Sequence, residues 1–280
     1  MKKTRIILAA LLFGVIQFAD AQYYYGPPGP PPGPPPRRER REKQEDQPAY
    51  GTPTGYVEIS LGLASPVGDF SNEGGVGYHG YALTGDNLAI SLAIPINHSN
   101  FGIALMYSAY NNPFDVDGYI NNVQYSNPGY NYYIPTDYYG NPYDAGASYS
   151  ESFIMAGLFA TLPVQRLSFD FRLMGGVAIC SLPEITYAAS ATSAAATNDF
   201  LWDIAGSSTT GFAVDIGAGI RYQFRRAAIM FGIDFMSADP MISTTQTYTD
   251  QYGTNTFSHI GGNLPISLMS YSIGIGYPIR

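Results

Sequence analysis

The chain has 280 residues, room for one large domain or two small ones, and only 13% of them are charged, half of the ~25% usual in soluble globular proteins. Its net charge of −8 argues against a nucleic-acid partner, and after Lys2, Lys3 and Lys43 it contains no further lysine. A single cysteine, Cys180, excludes an intrachain disulfide framework and a cysteine-rich zinc site.

Residues 1–21 have the layout of an export signal. Lys2, Lys3 and Arg5 precede an apolar run, Ile6 to Ile16, that is too short to span a bilayer as a helix, and Ala19-Asp20-Ala21 offers a small-x-small cleavage site before Gln22. Residues 22–54 form a proline-rich and basic tail or linker. GPPGPPPGPPP (26–36) places eight prolines in eleven positions, with glycines spaced three and then four apart, so the collagen triplet is broken and a polyproline II spacer of roughly 34 Å is expected. Arg37 to Lys43, RRERREK, carries a net +3. It reads either as a solvated linker or as a periplasmic arm that touches an anionic partner.

From Tyr56 the apolar residues recur with period two, the signature of half-buried strands. Val57, Ile59, Leu61 and Leu63 alternate with Glu58, Ser60, Gly62 and Ala64, and Leu88 to Ile96 and Phe101 to Tyr107 follow the same rule. Further strands run through Leu167 to Ile179, Phe212 to Phe224, Ile229 to Phe235 and Tyr271 to Ile279. An eighth, Phe153 to Leu162, is apolar on both parities, which leaves its facing open. Three connections are short (97–100, 163–166, 225–227) and four are long (about 65–87, 110–151, 181–211 and 237–266), and they alternate. In an up-and-down barrel that alternation sends every long loop to one rim and every tight turn to the other.

A soluble barrel could carry the same stripe on its inside. Three features favour the membrane. The apolar parity is bulky while the opposite parity is Gly, Ala and Ser, which suits a narrow lumen. The lysine and glutamate coat of a soluble barrel is missing. Aromatics gather at both strand ends: Phe101, Phe169, Phe171, Tyr222, Phe224 and Tyr277 toward the short turns, and Tyr107, Phe212, Phe235 and Tyr271 toward the long loops. The expected fold is therefore all-β, an eight-stranded antiparallel up-and-down transmembrane β-barrel over residues 55–280, with long loops at one rim and a disordered Pro-rich segment before it. Glu58, Asp170, Arg172, Asp215, Arg221 and Asp234 share the lumen parity and are expected to pair with one another there. Asp86 shares parity with Leu88, so it must stand above the hydrocarbon or follow a bulge.

The opening GYVEISLGLASPVGDFSN, followed by GGVGYHGYALTGD, resembles the start of the generic outer-membrane β-barrel domain of Gram-negative bacteria, and residues 55–280 resemble the small eight-stranded barrels of the OmpA/OmpX type. The last strand, YSIGIGYPIR, is similar to the family's C-terminal assembly signal, although it ends in Arg280 rather than an aromatic residue. The resemblance implies an outer-membrane location with both termini in the periplasm, contact with lipid and glycolipid, and delivery by the barrel assembly machinery. It implies no cofactor.

Three functions remain open. The loop from Asn111 to Tyr149 carries Tyr119, Tyr125, Tyr130, Tyr132, Tyr133, Tyr138, Tyr139, Tyr143 and Tyr149, which offer rigid amphipathic area for a surface partner or a cap that packs on itself. The long loops hold acids and no lysine or arginine, so divalent cations could bridge them to envelope glycolipid. A narrow conduit is the second function, against which the charged lumen residues stand as a plug. A rim enzyme is the third. His79 and His259 lie in long loops, but no motif fixes a nucleophile, and no enzyme activity is expected. His98 sits in a short turn, Cys180 reads as a packed lumen thiol, and Asp115-Val116-Asp117-Gly118 falls short of a full calcium loop.

Overall fold

The computed structural model describes residues 55–72, 80–97, 99–143, 146–192, 199–224 and 227–279. The export signal, the proline-rich stretch, Arg37 to Lys43, Arg280, His79 and His98 lie outside the described residues, as does the side chain of His259.

Among the described residues, thirteen strands and one α-helix follow one another: β1 (Gly55–Pro66), β2 (Gly85–Pro95), β3 (Phe101–Pro113), α1 (Val116–Ser126), β4 (Tyr130–Tyr133), β5 (Ser148–Val164), β6 (Leu167–Ser181), β7 (Ile185–Ala191), β8 (Phe200–Ala205), β9 (Ser208–Gln223), β10 (Ala228–Ala238), β11 (Met241–Asp250), β12 (Gly253–Asn263) and β13 (Ile266–Ile279). Eight of them close a barrel in the order β1-β13-β10-β9-β6-β5-β3-β2, every pair antiparallel. Pairing followed once around from Tyr56, through Ala93, Ala104, Gly157, Met174, Asp215, Met236 and Leu268, returns to β1 at Pro66, ten residues further along. A stagger of that size tilts the strands by about 40°.

The period-two residues face outward. Leu61, Ile103, Leu105, Leu173, Phe212, Ile216, Phe231 and Ile275 all stand exposed on the barrel's outer wall, as do the ten girdle aromatics. On β9 the outward run from Phe212 to Tyr222 covers about 33 Å along the strand, or about 25 Å of height after tilting, the thickness of the apolar band of an outer-membrane barrel. At its upper end the wall turns polar, with Ser65, Asn111, Ser150, Ser181, Ser237 and Ser267 outward. Asp86 belongs to this belt: it pairs with Leu63 and Asn111 in unbroken register, so no bulge precedes the strand. The facing left open for Phe153 to Leu162 is fixed by β3 and β6 on either side. Phe153, Met155 and Phe159 point inward, buried, and Ile154, Leu158 and Leu162 point to lipid.

The long connections are more ordered than loops. Parts of three of them pair into a second, five-stranded sheet beyond the barrel rim, in the order β12-β11-β8-β7-β4. Asp115 starts α1 by accepting from Gly118 N at 3.0 Å, which is the role of the Asp115 to Gly118 stretch. The remaining connection, between β1 and β2, makes a 3₁₀ turn (Gly68–Phe70) that drives Phe70 into the barrel mouth.

Candidate functional site

The lumen has two layers and a stopper. Toward the short turns, Arg172 grips Asp234 with Nε at 2.8 Å and Nη2 at 2.7 Å, a bidentate pair, and stands 4.0 Å from both Glu58 and Asp215. Ser91 Oγ donates to Glu58 at 3.0 Å. Arg221 reaches Asp170 at 3.1 Å and Thr161 Oγ1 at 3.2 Å, with its guanidinium 4.5 Å over the Tyr56 ring. The six charged residues assigned to the lumen by parity thus lie inside in two clusters, Arg172 with Asp234, Glu58 and Asp215, and Arg221 with Asp170, drawn from β1, β6, β9 and β10. Above them the wall is filled by Met106, Met155, Met174, Met236, Phe153 and Tyr110, all buried, and Tyr110 Oη donates to Met236 Sδ at 3.1 Å. The mouth is closed by Phe70, Tyr81, Phe114 and Tyr149, with Phe70 and Tyr149 centroids 4.9 Å apart. Gly80 lets this cap close, because a Cβ there would meet Phe70 O at 2.3 Å.

Glu151 corrects the sequence reading. Counted there among the loop acids, it lies inside the barrel on β5, paired across to Tyr110 and Cys180 and fully buried, with neither carboxylate oxygen hydrogen-bonded. The strand begins at Ser148, earlier than its two-sided apolar stretch suggested. Cys180 is buried beside it.

The nine tyrosines do not form one surface. Tyr149 is 4% exposed and donates to Gly80 O at 2.7 Å, so it belongs to the stopper. Tyr119, on α1, packs edge-on against Tyr81 and Tyr187, and burial raises the pKa of its phenol. These two are corrections to a binding surface, because their rings form the self-packed cap. Tyr130 and Tyr132, on β4, are half-buried against Phe200. Tyr125, Tyr133, Tyr138, Tyr139 and Tyr143 are exposed, Tyr138 by 97%. The turn that presents Tyr138 and Tyr139 is organised by Asp137, whose carboxylate accepts from Tyr139 N at 2.8 Å and from the Asn141 backbone and side chain. The Asn141 side chain is the main cause holding that carboxyl below its ordinary pKa.

Other loop acids do similar local work. Asp69 accepts from Asn72, Asp199 from Ala191 N, Asp203 from Thr186, Asp239 from Asn263 and Asp250 from Tyr252 N. Among the described residues no group of three metal-ligating side chains converges.

The loop sheet has two unlike edges. On β4, Gln124 of α1 closes the edge with its side-chain amide: Nε2 donates to Tyr130 O at 2.6 Å and Oε1 accepts from Tyr132 N at 2.9 Å. Among the described residues no strand follows beyond β12, and residues 251–258 are exposed. Its two faces also differ. Thr245, Thr247 and Thr249 on β11 stand opposite Ser258, Thr256 and Thr254 on β12, while the other face carries Tyr187, Trp202 and Tyr248 in one cross-strand row. These strands went unread in the sequence. The signal was present in Thr beside Tyr at Thr186-Tyr187 and Thr247-Tyr248-Thr249 and in Phe200-Leu201-Trp202, residues of high strand propensity, and in the Asp250 to Gly253 hairpin turn.

A closed eight-stranded wall with an outward apolar band, a polar belt above it and charges paired inside defines a transmembrane β-barrel of the outer-membrane type. No family model matches the chain, and no curated protein matches it. Among solved structures it is similar to neisserial surface protein A (12% identity, 82% of this chain and 99% of that one covered, TM-score 0.43). It is also similar to a major outer membrane protein from Thermus thermophilus (10% identity, 81% and 100% covered, TM-score 0.42) and to the attachment invasion locus protein Ail of Yersinia pestis (12% identity, 81% and 100% covered, TM-score 0.35). The barrel assignment rests on this chain's own strand pairing and apolar band.

Proposed function

We propose that the protein is a surface-binding protein of a Gram-negative outer membrane, with the barrel as its anchor and the loop sheet as its recognition element. In this reading both termini lie in the periplasm, and the loops point to the outside. The observation that carries the reading is the contrast between the sheet's edges. An exposed edge offers a row of backbone donors and acceptors, and proteins ordinarily blunt such edges with charge, proline or a covering segment. Here β4 is covered, but β12 runs GTNTFSHIGGN without proline, lysine or a carboxylate. An extended segment of a partner can add to that edge, with main-chain bonds for affinity and the flanking Tyr252 and Phe257, both exposed, for selectivity. The Tyr138–Tyr139 tip supplies a second aromatic contact.

The test replaces residues 243–258 with a short turn in cells that make the full chain. Retention on films of immobilised host-cell surface protein is then measured, with and without a chelator. Retention should fall to the level of cells lacking the protein, while the shortened chain still shifts on unheated gels as a folded barrel, and the chelator should leave retention unchanged. Undiminished retention by the shortened chain overturns the reading.

A further inference from the structure

The aromatic face of the loop sheet carries more than packing. Phe200, Trp202 and Tyr248 meet at one place on it, with centroids 5.0 Å apart for Phe200 and Tyr248 and 5.5 Å for Trp202 and Tyr248. All three are only half-buried. Helix α1 covers the neighbouring Tyr187 through Tyr119, 5.9 Å away, and leaves this corner uncovered. Asp250 is the direct cross-strand partner of Phe200, so its carboxylate stands on the same face beside the rings. One of its oxygens accepts from Tyr252 N.

We propose that this corner binds arginine side chains of a partner protein. The choice of cation follows from charge: none of the long connections between the barrel strands contains a lysine or an arginine, so the corner lies in a field of one sign. The choice of guanidinium follows from shape. The rings touch one another and leave no cage to enclose a compact ammonium, but they present faces on which a flat guanidinium stacks while Asp250 takes its N–H groups. The barrel contains the same combination on a smaller scale, where Arg221 stacks over Tyr56 and pairs with Asp170. A second copy of this chain is disfavoured as the occupant, because its own loops are equally acidic. The inference rests on the surface-binding reading, deepening it by naming the chemistry of the partner.

Trp202 is the only tryptophan in the chain, so its emission reports on this corner alone. The full chain in detergent micelles is titrated with the peptide acetyl-Thr-Arg-Thr-Arg-Thr-Arg-amide and with its citrulline twin, which keeps the shape and loses the charge. Trp202 emission should change saturably with the arginine peptide, at least fivefold more tightly than with the citrulline peptide. Asp250→Asn should weaken binding severalfold, and Thr247→Ala, on the opposite face, should not. No saturable change, equal response to both peptides, no effect of Asp250→Asn, or an equal response to a neutral glucan oligomer would each overturn it. If cells lose retention on trimming residues 243–258 while Trp202 ignores arginine, surface binding stands and the arginine corner falls.

Discussion

The barrel wall and the loop sheet are both antiparallel and both alternate two kinds of residue, yet their alternations answer to different solvents. In the wall the bulky aliphatic residues face out, into lipid, and the charges face in, where Arg172 and Arg221 hold Asp234 and Asp170. In the loop sheet the large rings gather on one face, which α1 covers at Tyr187 through Tyr119, and threonines take the other. The wall has no edge because it closes on itself, whereas the sheet has two and protects only one. Closure satisfies every backbone group where water is absent; in water an edge can stay open and serve as a contact. The difference separates an element built to persist from one built to meet something.

That separation is sharpest at Arg172. Its replacement by Leu leaves Asp234 without its bidentate partner, and Glu58 and Asp215 without the cation 4.0 Å away. Removing one member of a buried ion pair costs about 3–5 kcal/mol, so the denaturant midpoint of the refolded barrel should drop accordingly. An unchanged midpoint would mean that the lower lumen layer is decoration and that the lipid face alone sustains the wall.

A matched pair of substitutions compares the two solvents directly. Leu158→Arg places a cation on the lipid face near mid-height of β5 and should cost about 2–4 kcal/mol. Thr247→Arg, on the threonine face of β11, sits in water and should stay within about 0.5 kcal/mol. Equal costs from denaturant titration in lipid vesicles would contradict the assignment of the wall to membrane and of the sheet to solvent.

The same physics decides what was legible in the sequence. The wall could be read because lipid outside and a narrow lumen inside impose opposite demands on neighbouring residues, as Leu61 against Gly62 or Ile275 against Gly276 shows. Phe153 to Leu162 could not be oriented, because its inward side carries Phe153 and Met155 to fill the upper lumen. The loop sheet was hidden because its ring face has no repeating apolar stripe: Tyr187 and Tyr248 stand among Thr and Ala or Thr alone, and Trp202 stands between Leu201 and Asp203. Its pairings, β4 with β7 and β8 with β11, also join different connections, which no local pattern encodes. The charged lumen residues could be grouped by parity, but their partners could not. The tyrosines could be counted, but composition does not say that Tyr149 plugs the barrel while Tyr138 meets water.

The smallest expected effect lies at the tip that presents Tyr138 and Tyr139, and it tests whether that part of the solvent-facing region is built or merely slack. The Asp137 carboxylate is held below its usual pKa chiefly by the Asn141 side chain, and further by the backbone N–H groups of Asn141, Tyr139 and Gly140. A carboxyl lowered in the folded turn stabilises that turn fully above its unfolded value of about 3.9, and the contribution disappears as the pH falls through the folded value. The turn should therefore hold unchanged from neutral pH down to about 4 and loosen only below that. Amide shifts of Tyr139 and Asn141, followed by NMR on the micelle-bound protein, should titrate together below the ordinary carboxylate range. Asp137→Asn should abolish that titration and leave the barrel's midpoint where it was. Titration at the ordinary carboxylate value would mean that the tip tyrosines hang on an unordered loop and reach a partner, if at all, without the rigidity that makes an aromatic contact selective.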